Sequence, residues 1–162
     1  NIQGLEIQVG YDWSITWRSE LSLPWMDSKV EQLLDHNAIG AIEINGRNYS
    51  SVNYPTTRLM PAQAHLVTRY TPFDAPWWAE ISILAAGKAD KLSLKDETDK
   101  SRIPADGTPA YALIGLHSGM NIGKHSAIFL GIENLNDSDY RVHGSGLNGS
   151  GRNFIFSFNS SF

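Results

Sequence analysis

The chain has 162 residues, 41% of them hydrophobic, 19% charged and 10% aromatic, with 14 glycines and a formal net charge of −4. One domain's length with that much apolar material excludes a disordered chain, and the acidic balance excludes the basic stripe of a nucleic-acid-binding domain. No cysteine is present, so disulfides and thiolate metal sites are ruled out while the redox compartment stays open.

The best apolar runs, Ile81–Ala86 and Ala127–Ile132, fall far short of the ~20 residues of a membrane helix. A barrel strand needs only ~9–11 residues with alternate ones apolar, so a membrane is not thereby excluded. The chain starts at Asn1 without a methionine, a charged leader or an apolar signal core. Processing or truncation is therefore expected to have removed what came before.

In chain order, Leu5, Ile7, Val9 and Tyr11 alternate with Glu6, Gln8 and Gly10. A period of two predicts a strand with one apolar and one polar face. Trp13–Leu23 repeats the pattern, with Trp13, Ile15, Trp17, Leu21 and Leu23 against Ser14, Thr16, Arg18, Glu20 and Ser22. Lys29–His36 (KVEQLLDH) alone has convincing helical character. The alternation then returns at residues 63–70, 77–84, 112–122, 128–133 and 154–162, which makes seven expected strands.

The connections alternate in length. Tyr11–Trp13, Thr71–Pro76 and Gly123–Ser126 are short; Pro24–Pro61, Gly87–Thr108 and Asn134–Gly151 are long and polar. A soluble sandwich has no reason to gather every long connection at one end, whereas outer-membrane barrels have short periplasmic turns and long extracellular loops. Tyr11, Trp13, Tyr70, Phe73, Trp77, Trp78 and Phe162 cluster at the short-turn ends, where amphipathic rings form an interfacial girdle. Glu6, Gln8, Arg18, Glu20, Arg69, Glu80 and His117 fall on the polar faces. They would meet bulk water in a soluble sheet and line the lumen in a large barrel. Alternation leaves both open; the loop asymmetry and the aromatic ends favour the lumen.

The ending Gly151–Phe162, with Phe154, Phe156, Phe158 and a terminal Phe162, resembles the last strand of bacterial outer-membrane proteins. The resemblance makes these phenylalanines the signal read by the barrel-assembly machinery. Such a role suits a strand that must offer an unpaired edge before closure. Upstream, Glu133-Asn134-Leu135, Tyr140-Arg141, the glycines Gly144 and Gly146, and Gly151-Arg152-Asn153 resemble the closing hairpin of TonB-dependent receptors. Asn136 and Ser150 depart from it, standing where that family often has phenylalanine or threonine and proline. Trp77–Ala110 also looks like a strand, loop and strand of these receptors.

The resemblance covers Leu5–Phe162. It implies an all-β antiparallel meander of about seven strands, forming the C-terminal portion of a 22-stranded transmembrane β-barrel. Residues 1–162 would be one segment of that barrel domain, seen as an open curved sheet, with the plug and earlier strands absent. The C-terminus would be periplasmic. Also implied are outer-membrane lipid, the barrel-assembly machinery and a small metal chelate as partners, and the TonB complex through the missing N-terminal part. Such a sheet, isolated in water, exposes lipid-facing rows and two long edges, so inclusion bodies are expected on expression.

Candidate chemistry is sparse. No nucleophile elbow and no His-Glu-x-x-His spacing appears, so no enzyme, cofactor or metal site is expected. His117 beside serines reads as a polar lumen filler. Asp35-His36 and Asn136-Asp137-Ser138-Asp139 lack calcium-loop spacing and read as solvated loop residues. In the last long loop, Tyr140, Arg141 and His143 are ligand-contact candidates by the resemblance, while the adjacent glycines suit positive dihedrals. Trp25-Met26 opens the longest loop and is expected to join a lid or cap the rim. The leading reading is a receptor importing an iron siderophore, haem or cobalamin. A passive porin or autotransporter translocator barrel is the alternative, and a soluble β-sandwich binding module the third.

Overall fold

A computed structural model describes the backbone of residues 1–35, 42–44 and 47–161, and the side chains of 1–31 and 53–161. In chain order the elements are β1 (Ile2–Asp12), β2 (Trp17–Ser28), β3 (Val30–Asp35), β4 (Ile42–Ile44), β5 (Arg47–Tyr54), β6 (Gln63–Tyr70), β7 (Trp77–Ala86), α1 (Leu94–Thr98), β8 (Tyr111–Ile122), β9 (Ser126–Glu133) and β10 (Asn153–Ser160). Seven strands pair antiparallel in the order β1-β2-β6-β7-β8-β9-β10, and a small sheet has the order β3-β5-β4. The all-β meander is as the periodicity predicts. Among the described residues no helix is long and apolar enough to cross a membrane.

Three local expectations are corrected. The second strand starts at Trp17, not Trp13, because Ser14 Oγ accepts from the backbone N–H groups of Thr16 and Trp17 (3.2 Å each) and closes a turn there. Side chains of this kind compete with the ladder for backbone donors. It then runs through Pro24, Trp25 and Met26 to Ser28, paired with β1 throughout, so Trp25-Met26 is strand and not loop. Pairing with β6 stops at Ser22, two residues before Pro24, whose ring nitrogen has no hydrogen to donate. The helix expected at Lys29–His36 is also overturned: residues 30–35 are β3, paired with β5 from Val30–Tyr54 to Asp35–Tyr49. Good helix formers lose here to an extended neighbour that supplies a full ladder. His36 lies outside the described residues.

Register places like with like. One row across the sheet reads Val9, Leu21, Leu66, Ile83, Ile114. Another reads Thr68, Ile81, Leu116, Ile132, Phe154. The opposite face carries Asp12, Arg18, Arg69, Glu80, His117 and Gly131 in a single row. Strand pairing alternates the connections between two rims. The turns 13–16, 71–76 and 123–125 lie on one rim, and 29–62, 87–110 and 134–152 on the other.

Among the described residues, no second layer covers either face of the large sheet. Ile81 is 42% exposed and Phe156 68%. Among the described residues the buried apolar ones are Leu59, Ala86, Ala89 and Ile103, all in the long connections or where a strand enters one. The compact core of this chain therefore sits at one rim, above a bare sheet.

Candidate functional site

The polar face is built from one residue on each successive strand, which register holds level. Arg69 on β6 donates through Nε and Nη2 to Glu80 Oε2 on β7, at 2.8 and 2.6 Å. His117 on β8 places Nδ1 3.6 Å from Glu80 Oε1 and Nε2 2.8 Å from Glu133 Oε1 on β9. The Arg69 guanidinium lies 4.2 Å over the Trp78 ring, a geometry in which the ring quadrupole attracts the cation. Arg18 bridges Asp12 and Glu20 at 2.9 and 2.8 Å, and Gln8 donates to Glu6. Glu80 is the most enclosed acid here at 13% side-chain exposure; the pairs around Arg18 are open to water and contribute little.

Glycines make this wall flat. A Cβ at Gly119 would fall 2.6 Å from Trp78 Nε1, and one at Gly131 would crowd His117 and Phe129. The absent side chains let these rings lie down along the sheet, with His117 and Phe129 stacked at 5.9 Å. The result is an ordered charged surface in which the central groups already have partners. Among the described residues no group of three or more His, Asp or Glu is arranged to hold a metal.

The long-connection rim is built differently, around a buried carboxylate. Asp96, 2% exposed, accepts from Arg58 N–H (3.1 and 3.3 Å), Ser93 N–H (3.1 Å) and Ser93 Oγ (2.8 Å). Ser93 is the N-cap of α1, and the reciprocal bond from Asp96 N–H completes a capping box that satisfies orphan donors of the first turn. The same carboxylate thus ties 87–110 to the segment before β6. Thr108 Oγ1 and His143 Nδ1 are 2.8 Å apart, joining 87–110 to 134–152. The Arg58 side chain lies across Gly144, which adopts φ +79° and leaves the space that a Cβ would close. Lys91 donates to Asp27 at 2.7 Å, and Thr56 N–H to Ser28 Oγ.

Sequence candidates divide between these places. Glu6, Arg18, Glu20, Arg69, Glu80 and His117 all lie on the polar face. Tyr140 and Arg141 border a cleft of about 240 Å³ with Pro104, Pro109, Tyr111 and Asn148. Tyr140 packs on Tyr111 at 4.9 Å, and Arg141 Nε donates to Asn148. His143 is turned inward and is 7% exposed, so it is not presented to a ligand alongside them. Asn136, Asp137 and Asp139 are not simply solvated. Asn136 donates to Ala112 O, Asp137 accepts from Arg152 N–H, and Asp139 accepts from Asn148. Phe154, Phe156 and Phe158 project from the apolar face of β10, the final strand in the sheet order; Phe162 lies outside the described residues. Asp96, Ser93, Arg58 and Thr108 were not singled out by the sequence. Only the Ser93-x-x-Asp96 spacing marked any of them, as an acidic variant of the capping box.

No family model matches the sequence, and no curated protein matches it. Among solved structures the chain is similar to the copper transporter OprC, with a TM-score of 0.75 at 18% identity, over 99% of this chain and 23% of that one. The likeness shows the fold: this chain, spanning under a quarter of OprC's length, has the fold of a segment of that transporter.

Proposed function

We propose that this chain is wall and outer rim of an outer-membrane transport barrel, the C-terminal part of a TonB-dependent receptor that imports a scarce nutrient. The observation that carries the reading is the bare apolar face. Among the described residues its rows from Leu5 to Phe158 have no covering layer, while the buried apolar residues lie at the rim that gathers the long connections. Hydrocarbon is the solvent that suits such a face, and backbone pairing within the sheet is what a bilayer demands.

Dimensions agree. Trp17 and Trp25 lie on the apolar face of β2 eight residues apart, about 27 Å along a strand. Allowing for barrel tilt, that fits an apolar band about 25 Å tall between aromatic girdles. Trp17 also meets Tyr70, and Tyr70 meets Trp77, at the short-turn rim. That rim would be periplasmic and would hold the C-terminus. The charged row of Arg69, Glu80 and His117 would then line the lumen.

For the substrate, the copper transporter fold widens the class beyond iron siderophores, haem and cobalamin to metals in general. The role assigned is transport and not catalysis, with energy from the TonB complex entering through parts of the protein outside this segment. The test is made on the complete protein that carries this segment. It should fractionate with the outer membrane, and deleting either its gene or TonB should abolish uptake of one metal or metal chelate. Uptake that is independent of TonB would indicate a passive porin, and a detergent-free soluble product would overturn the barrel.

A further inference from the structure

The rim core contains a polar atom with no partner. His143 is buried, its Nδ1 is engaged by Thr108 Oγ1 at 2.8 Å, and its Nε2 has no hydrogen-bond partner among the described residues. A neutral imidazole tolerates this best as the tautomer with hydrogen on Nδ1, donating to Thr108 and leaving only a lone pair unmet at Nε2. Protonation puts a second N–H and a full charge into the same dry space, where an unmet donor is costly.

The position of this histidine makes that cost mechanical. Its partner Thr108 is paired through the backbone with Ala89, 2.9 and 3.0 Å in the two directions. Its chain neighbour Gly144 carries the Arg58 side chain, and Arg58 N–H is held by Asp96. Three connections far apart in sequence therefore converge on one imidazole. We propose that His143 is an acid-sensitive latch that holds the three long connections together as one rim when neutral and releases them when protonated.

Burial disfavours the imidazolium most; of the charged groups that act on it, Asp96 favours the imidazolium and Arg58 opposes it, and the balance holds the imidazole below its usual range. With the closed-state value depressed, the closed rim binds fewer protons than the open one. Closure is therefore complete above the ordinary histidine value of about 6.5 and weakens as pH falls below it. The weakening approaches tenfold per pH unit until the closed-state value is reached.

The latch concerns the rim's own packing and is independent of what is transported; its test rests on the outer-membrane placement proposed above, which fractionation checks separately. The experiment is limited proteolysis of the complete protein in outer-membrane vesicles, cutting within 87–110 and 134–152 at pH 7.5 and pH 5.0. The same vesicles should bear two variants, His143→Phe and Thr108→Val. Wild type should be cut several-fold faster at pH 5.0, after correction for the protease's own pH profile on an unfolded substrate. His143→Phe should lose that pH dependence, and Thr108→Val should keep it while cutting faster at both pH values. Equal cutting of wild type at the two pH values would overturn the latch, as would unchanged pH dependence in His143→Phe. If that variant fails to reach the membrane, hydrogen exchange of wild-type residues 87–110 over the same pH range decides.

Discussion

Arginine at position 81 separates hydrocarbon from water as the solvent of the apolar face. Ile81 sits mid-strand in β7, between Thr68 and Leu116, four residues from Trp77. At about 3.3 Å per residue that is roughly 13 Å from the aromatic rim, near the middle of a band about 25 Å tall. An arginine there costs about 2–4 kcal/mol if lipid surrounds it, which is roughly 30- to 900-fold in the unfolding constant. In water the same position is 42% exposed, and Ile81→Arg would fall within about 0.5 kcal/mol of neutral. Gln8→Arg, on the polar face opposite Ser22, is the matched control and should be near neutral in either case. The assay is urea unfolding of the complete barrel refolded into lipid vesicles, followed by tryptophan fluorescence. Equal effects of the two arginines, or no effect of Ile81→Arg, would refute the assignment of that face to lipid.

Other outcomes follow from the two built regions. Gly119→Ala places a methyl 2.6 Å from Trp78 Nε1, so the ring must lift off the wall and away from Arg69. The cost should be about 1–3 kcal/mol, with a shift in tryptophan emission. Asp96→Ala strands the donors of Arg58, Ser93 N–H and Ser93 Oγ. At about 1–3 kcal/mol per unmet buried group, proteolysis at residues 87–110 should rise steeply while the barrel's urea midpoint barely moves. Arg69→Leu leaves Glu80, 13% exposed, with only His117 beside it. The loss should exceed that of Glu80→Gln Arg69→Leu together, as a double-mutant cycle of unfolding free energies would show.

The sheet was legible because its information is local. Period-two alternation from Leu5 to Phe158 fixes which side of each strand is apolar, and alternating connection lengths fix which rim gathers the loops. What escaped was non-local. Lys29–Asp35 carries helix-forming residues, but its conformation is decided by Arg47–Tyr54, a partner that no window around it contains. Pro24 and the polar Asp27 and Ser28 disguise the last third of β2, since nothing nearby shows that β6 has already stopped pairing. The rim core is the extreme case: Arg58 reaches Asp96 across 38 residues and Thr108 reaches His143 across 35. Only the capping box of Ser93 and Asp96 left a trace in the sequence, and it marks a helix start, not a meeting point. His143 was legible as a residue of interest but not as an interior one, because a histidine between Val142 and Gly144 in a polar loop looks the same from either side.

A shared interior at the rim has a mechanical corollary. Three separate flaps would each answer to whatever touches them; flaps sewn through Asp96 and His143 answer together. Whatever grips one connection therefore pulls on two others dozens of residues away. An insertion tolerated by one loop's own surface will still be felt across the whole rim.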